Sequence, residues 1–244
     1  MECALRVELL RSTVESEALV ALAAKLCYAG GDLTSLRDAI ARKDQQSFLR
    51  KVREMGHESV LEHASLTFLM EGVSRALLAQ LTRHRIASFS VQSQRYVSYA
   101  DGFGYVVPPS IRALSDDAVA EYKAQMAQMQ AWYEGWQKRL GDGESANQDA
   151  RFVLPNACET RIMVTMNVRE LRHFFELRMC NRAQWEIRAL AQRMFELSYA
   201  EAPALFEDAG PRCLRGACPE GAKSCGRQQE IRLEREAFVA AHQR

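Results

Sequence analysis

The sequence predicts an α+β fold, with helices around a small, mainly antiparallel sheet in a single compact domain spanning residues 1–244. Three observations lead there. Apolar residues three and four apart recur over most of the chain, the spacing of helices with one buried face. Only a few short stretches alternate apolar and polar residues, and they do not alternate with the helices as a parallel α/β sheet requires. No internal repeat and no linker-like segment divides the chain.

Residues 15–28 carry Leu19, Leu22, Ala23 and Leu26 at helical spacing. Asp44 to Met55 reads as a second helix. Asp44 is its N-cap, Phe48, Leu49, Val52 and Met55 form a stripe, and Gly56 stands where a glycine ends a helix. Over 64–71, Leu66, Phe68 and Met70 face one side and Ser65, Thr67 and Glu71 the other, a half-buried strand. Gly72 is expected to break that strand, and Ser74 to cap a helix reaching about His84. Residues 86–98 are rich in Ser and Gln without a core stripe and read as an ordered loop. Pro108-Pro109 punctuates the chain. From Asp116 to Leu140, Val119, Tyr122, Met126, Met129, Tyr133, Trp136 and Leu140 mark one long helix with a buried seam, within or between subunits. Its Met and aromatic residues read as core. Gly141 to Gly143 ends it. Ile162, Val164 and Met166 mark a second strand over 159–166. Asn167 and Glu170 have capping-box spacing for a helix to about Cys180. Another helix covers 184–200 and stops before Pro203. Residues 209–227, rich in Gly, Pro and Cys, read as irregular, and a short charged helix closes the chain.

Composition narrows the function classes. Hydrophobic residues at 48% supply an ample core, and charged residues at 26% argue against disorder. A net charge of +1 requires any polyanion to be gripped by local clusters. No apolar run approaches the roughly 20 residues of a membrane helix, and the first residues lack a signal-peptide core. A cytoplasmic protein is expected, with its seven cysteines reduced.

Three features carry candidate chemistry. Arg83, His84 and Arg85 end a helix and lead into Ser88, Ser90, Gln92, Ser93, Gln94 and Arg95. On that helix Gln80, Arg83 and His84 would share a face. The cluster is either a cradle for phosphate and a heterocycle or a solvated basic turn at a helix C-terminus. Second, at about 100° per residue Arg178 falls in the apolar arc of Leu171, Phe174 and Phe175, with Arg169 and His173 on a neighbouring face. A guanidinium there is costly unless paired. It either meets a core carboxylate or lines a pocket that takes an anion. Third, the run from Gly56 to His63 resembles a zinc-protease helix but lacks the second histidine at either required place. No metal site is read there. His57 follows a helix-ending glycine on a turn open to ligand. Cys213, Cys218 and Cys225, with four and six residues between them, lack zinc-ribbon spacing. The chain has no GxGxxG after a strand, no phosphate-binding P-loop and no GxSxG.

Arg83-His84-Arg85, seven residues and then Ser93, continued by Gln94-Arg95-Tyr96, resembles the signature of the flavin-dependent thymidylate synthases. The run from Gly56 to His63, Arg151 to Pro155, Asn167 to Arg169 and Leu177 to Ile187 match further blocks of that family in order. The resemblance implies an α+β fold and a homotetramer with active sites between subunits. It implies FAD bound without a Rossmann motif, methylenetetrahydrofolate as carbon donor, NADPH as reductant and dUMP as substrate. Position by position, Ser59, Arg83, His84, Arg85, Asn167, Arg169 and His173 would contact FAD, with His57 near flavin and folate. Gln80, Arg83, Val91, Gln92, Ser93, Gln94, Arg95, Arg151 and Arg178 would contact dUMP, with Arg178 catalytic. The sequence departs from the family in carrying Val91 two residues before the signature serine, where Glu or Gln is common, and His173 where Asn is often found. Two other readings remain: a nucleic-acid-binding protein using the basic loop, and a flavin oxidoreductase without methyl transfer. The resemblance favours neither nucleic acid nor membrane as a partner.

Overall fold

The computed structural model describes residues 1–30, 32–41, 45–141 and 143–242. Among these the elements run β1 (Arg6–Ser12), α1 (Ser16–Leu26), α2 (Leu33–Ala41), α3 (Gln45–Glu54), β2 (Ser65–Ser74), α4 (Arg75–Leu81), β3 (Ala87–Val91), α5 (Pro109–Arg112), α6 (Asp116–Leu140), α7 (Glu144–Ala150), β4 (Glu159–Asn167), α8 (Val168–Arg178), α9 (Trp185–Glu201), α10 (Pro203–Phe206) and α11 (Gln228–His242). The fold is α+β, with a four-stranded antiparallel sheet in the order β1-β2-β4-β3.

The two central strands are those whose alternation was legible. Leu66, Phe68 and Met70 of β2 and Ile162, Val164 and Met166 of β4 are buried. Thr67 Oγ1 lies 2.9 Å from Thr165 Oγ1, and four residues on Glu71 lies 3.6 Å from Arg161, four residues back, which fixes an antiparallel register. The outer strands were not anticipated. No residue of β3 is buried, and only Val7 of β1 is, so neither has the one-sided apolar pattern that betrays a strand. The segment 86–98 is therefore not all loop: β3 occupies its first part and a turn at 94–96 follows.

Gly72 does not end β2. It lies inside the strand at φ +71°, where a Cβ would stand 1.8 Å from the Ala4 carbonyl oxygen. Only glycine permits that approach. Ser74 caps α4 as expected, its Oγ accepting the Leu77 N–H at 3.0 Å, but the helix stops at Leu81. α1 forms where expected yet turns a different face inward. Val20, Ala21 and Ala24 are buried and Leu26 is exposed, because a helix apolar on most sides offers several equivalent stripes. α2 had no expected counterpart. α3 closes as anticipated: the His57 N–H reaches the Val52 carbonyl at 3.2 Å, the Gly56 N–H reaches that of Arg53 at 2.9 Å, and Gly56 adopts φ +73°. Its expected cap, Asp44, lies outside the described residues, and Met55 of its expected stripe is exposed. α6 matches at both ends, but Trp136 and Leu140 at the end of its seam are about half exposed (46% and 47%). Residues 209–227 hold two single-turn 3-10 helices at Arg212–Leu214 and Gly221–Lys223, and the closing helix, α11, is 15 residues long.

The chain divides into two compact units, neither continuous in sequence. The α6 unit comprises Met1–Val7, Leu69–Arg83 and Phe89–Met163. Its core gathers Tyr99, Phe103, Met126, Tyr133, Ala150 and Cys158. The Tyr133 hydroxyl accepts the Tyr99 N–H at 3.3 Å and donates to Asn147 Oδ1 at 3.4 Å. The α8 unit comprises Glu8–Phe68, His84–Ser88 and Val164–Arg244. There Phe175 packs edge-on against Phe195 and Phe206 at 5.8 and 6.0 Å, all fully buried. Each such ring contributes roughly 1.5–3 kcal/mol by leaving water.

Candidate active site

In the α8 unit Asn167 caps α8, its Oδ1 accepting the Glu170 N–H at 2.8 Å. In a complete capping box the Glu170 carboxylate would return to the Asn167 N–H. Here its Oε1 instead lies 2.9 Å from Nδ1 of His84. Because α4 ends at Leu81, His84 has left the helix, and the expected shared face with Gln80 and Arg83 does not exist. His84 is buried (4% exposed) while Arg83 and Arg85 on either side are exposed. The Phe174 ring packs edge-on against the imidazole at 5.0 Å. Arg178 donates from Nε to His84 Nε2 at 3.1 Å.

This chain of contacts assigns the imidazole proton. A guanidinium only donates, so Nε2 must carry a lone pair. The remaining proton sits on Nδ1 and is donated to Glu170. The ring is then neutral. Burial holds its pKa below the usual histidine value, Arg178 pushes the same way, and the Glu170 carboxylate opposes both. The Nε contact of Arg178 is thus with an imidazole. On the same helix Arg172 grips Asp208 with two hydrogen bonds of 2.8 and 2.9 Å.

A cavity of about 330 Å³ opens beside the start of α8, lined by Asn167, Arg169, Glu170 and His173 together with Glu62 and Ile86. Its arginines are already matched to acids. Arg169 pairs with Glu62 at 2.5 Å, and Arg215 with Glu176 at 2.9 Å. Arg83 and Arg85 make no ion pair among the described residues. His57 and Ser59 are exposed at the start of the 3-10 helix Glu58–His63 and line a separate, more apolar cavity of about 460 Å³ beside Tyr28, Phe48 and Met55.

In the α6 unit the segment after β3 is held by its backbone. The Gln92 N–H donates to the Arg161 carbonyl at 2.9 Å, and the Gln92 carbonyl accepts from Arg75 at 2.7 Å. Ser93 Oγ accepts the Arg95 N–H at 3.2 Å, Asn147 donates to the Arg95 carbonyl at 3.3 Å, and Gln94 donates to the Cys158 sulfur at 3.6 Å. With the backbone so fixed, the Arg95 side chain reaches outward. It meets Glu144 at 2.5 Å in a pair whose members are 48% and 45% exposed. Arg151 donates from Nε to the Gln148 carbonyl at 3.0 Å, and Gln80 reaches back to the Ala76 carbonyl at 3.5 Å. Val91 is the last residue of β3.

The expected site residues therefore sort by unit. Gln80, Arg83, Val91, Gln92, Ser93, Gln94, Arg95 and Arg151 belong to the α6 unit; His57, Ser59, His84, Arg85, Asn167, Arg169, His173 and Arg178 belong to the α8 unit. Sequence reasoning passed over Arg75, Arg172 and Arg215, and saw Glu170 only as a helix cap. Arg75 did carry a signal: a cation in the first turn of a helix opposes the helix dipole. Nothing in the local sequence announces the Glu170–His84 bond. Among the described residues no three His, Cys, Asp or Glu side chains are grouped to hold a metal ion.

The model of a family described as thymidylate synthase complementing protein matches residues 8–204. A flavin-dependent thymidylate synthase of Geobacter sulfurreducens is 53% identical over 239 residues, covering 96% of this chain and all of that protein. One from Clostridium tetani is 44% identical over 238 residues, covering 93% and 95%. A UMP/dUMP methylase from Streptomyces cacaoi, solved with 5-bromo-dUMP, superposes with a TM-score of 0.67 at 26% identity over 84% of this chain and 94% of that one. Thymidylate synthase X from Helicobacter pylori, solved with FAD and dUMP, gives a TM-score of 0.60 at 24% identity over 84% and 99%, a likeness of fold.

Proposed function

The chain belongs to the flavin-dependent thymidylate synthase family, and on that premise we propose that it methylates dUMP to dTMP, with FAD as hydride carrier, methylenetetrahydrofolate as carbon donor and NADPH as reductant. The observation that carries the reading is Arg178. It stands beside the buried rings of α8 with its Nε on a neutral imidazole, in a chain of which 96% aligns with a member of the family.

The residues of the α8 unit suit a flavin. The cavity beside α8 offers the Asn167 cap, the His173 imidazole and a helix N-terminus, and Arg85, next to the lining residue Ile86, makes no ion pair among the described residues. We assign FAD to Ser59, Arg83, His84, Arg85, Asn167, Arg169 and His173, with His57 near flavin and folate. When bound, FAD supplies a two-electron hydride carrier.

The remaining chemistry belongs to the side chains. Methylation requires C5 of the pyrimidine to act as a nucleophile. Negative charge building on the ring, by loss of the N3 proton or along that path, pushes electron density there. Arg178 neutralises that charge, and an apolar surrounding magnifies its effect. Each pKa unit shifted on the pyrimidine corresponds to about 1.4 kcal/mol. Arg95 and Arg151 take the phosphate through charge-assisted, bidentate bonds. Phosphate displaces Glu144 from Arg95 readily, since a pair so exposed is worth only about 0–1 kcal/mol. Ser93 binds and does not attack, because its Oγ meets a backbone N–H and, among the described residues, no base. Gln80, Val91, Gln92 and Gln94 complete the pyrimidine and ribose contacts, and Arg83 is assigned to dUMP as well as to FAD.

We read residues 1–244 as a single catalytic domain, since neither unit is continuous. We also propose a cytoplasmic homotetramer with active sites at subunit interfaces and no nucleic-acid partner. No helix among the described residues is long and apolar enough to cross a membrane. Trp132, Trp136 and Leu140 of α6, 46–52% exposed, offer apolar surface for assembly.

The visible spectrum of the purified protein, followed through a dUMP titration, tests the reading. Oxidised-flavin bands perturbed by dUMP support it, and a protein that cannot be loaded with FAD ends it. Flavin reduction by NADPH with no dTMP formed from dUMP and folate would favour the plain oxidoreductase.

A further inference from the structure

We propose that Glu170 is a positioning residue for this reaction: its carboxylate keeps the proton of His84 on Nδ1, so that Nε2 stays open to receive Arg178 and sets the direction of that guanidinium. The proposal rests on the reading of Arg178 as the group that meets the pyrimidine.

The geometry is a three-member chain. Glu170 Oε1 to His84 Nδ1 is 2.9 Å, and His84 Nε2 to Arg178 Nε is 3.1 Å. Its two ends stand on α8, about two turns apart, and its middle comes from a segment 86 residues away from Glu170. Glu170 and His84 are 7% and 4% exposed, so the bond between them is shielded from water. A capping acid at this helical position ordinarily serves its own helix. Glu170 gives up that local bond for one to the ring. Its identity matters. A carboxylate only accepts, and so admits one neutral tautomer of His84, whereas an amide can rotate and present N–H to the ring. With the proton moved to Nε2, or with both nitrogens protonated, His84 has no lone pair for Arg178, and in the second case its charge repels the guanidinium.

The groups that act on His84 come from α8: Glu170, Arg178 and His173, whose ring centroid is 5.9 Å away. Arg83 and Arg85 flank it in sequence and are exposed. On the 3-10 helix packed against α8, Glu58 and Glu62 pair with Arg169. Glu170 is thus the acid bonded to the ring, and its removal has a definite sign. Without the carboxylate the imidazolium loses its stabilising partner, and His84 titrates at lower pH.

The test uses the full-length, FAD-loaded protein and its Glu170→Gln and Glu170→Ala variants. ¹⁵N-histidine NMR reports tautomer and titration, with the His84 signal assigned by its loss in His84→Gln. We expect a predominantly Nδ1–H form in the parent protein, and in Glu170→Gln a mixture of tautomers with the titration shifted downward. The acid limb of the kcat/KM profile should move down with it. Glu170→Ala should lose roughly 10- to 100-fold in kcat, the size of a misdirected catalytic group, with flavin absorbance retained. An unchanged tautomer and titration of His84 in Glu170→Gln overturns the proposal whatever the activity, and this readout stands even if Glu170→Ala does not fold. If His84 responds as expected while Arg178→Ala turns over normally, the link between Glu170 and His84 is upheld and the role given to Arg178 is what fails.

Discussion

The α8 unit and the α6 unit both present arginines, and they use them differently. In the α8 unit Arg53 and Arg172, 4% and 6% exposed at the side chain, are locked onto Asp208 and Glu207 at 2.5–2.9 Å. In the α6 unit Arg95 meets Glu144 at the same distance, but with both partners about half exposed. Distance alone would rank these pairs together. Burial separates them, because a desolvated pair broken on one side leaves an orphaned charge, while an exposed pair trades its partner for water or for a ligand. The first kind holds the fold, and the second, on the proposed assignment, gives way to the phosphate of the substrate.

Substitutions can break this contrast. The largest effect is expected for Arg172→Ala. Asp208 keeps Arg53, but two charged hydrogen bonds to it and one to the Leu205 carbonyl are lost, which should cost about 3–5 kcal/mol of stability, measured by urea unfolding; a cost below about 1 kcal/mol would put this pair in the class of Arg95–Glu144. Next comes Arg178→Ala, which belongs to the α8 unit but is assigned to chemistry. Flavin content should persist while kcat falls roughly 10²- to 10³-fold, about 3–4 kcal/mol. Normal turnover would remove Arg178 from the mechanism. In the α6 unit, Arg95→Ala should leave stability unaltered and raise KM for dUMP roughly 10- to 100-fold, the ~1.5–3 kcal/mol of a charged hydrogen bond. An unchanged KM would return Arg95 to the solvated surface.

The smallest effect sharpens the same contrast through pH. Burial pushes the Asp208 carboxyl up, but Arg172, with Arg53 and Arg215, outweighs it and holds the pKa at about 2, below the ordinary 3.8. A depressed pKa adds stability that is complete above the unfolded value and is lost as pH falls through the folded one. The window is therefore pH 4 to 2. The side chain is 35% exposed, so we expect about 1–2 kcal/mol after allowance for screening. Urea midpoints of the parent protein should fall over that window more steeply than those of Asp208→Asn.

The parts of the fold legible in sequence were those whose signals are local. α6 begins and ends where expected: Gly141, read as its stop, takes φ +92°, and at its start the structure adds a cap in which Ser115 accepts the Ala118 N–H. The central strands showed themselves by alternation. β1 and β3 did not, since an outer strand with no buried face has no pattern to show. Gly72 was misread because glycine marks both a break and a close approach, and the Ala4 backbone that decides between them is remote in sequence. The candidate site divides the same way. Arg178 was conspicuous on the helical wheel. Its connection to Glu170 was invisible, because it runs through His84, whose burial follows from α4 ending at Leu81.

The turn that ends α3 and the Glu170–His84 bond also differ in when they can form. The first closes over at most five residues, the second over 86. Helical turns form in about a microsecond, whereas long loops must close before their contacts count. On refolding, His57 is therefore expected to reach its place well before His84, and competence to hold a flavin should trail the helical signal. A stopped-flow comparison of far-ultraviolet ellipticity with flavin fluorescence would read that interval. Coincident traces would mean that the chain docks residue 84 as early as it winds its helices.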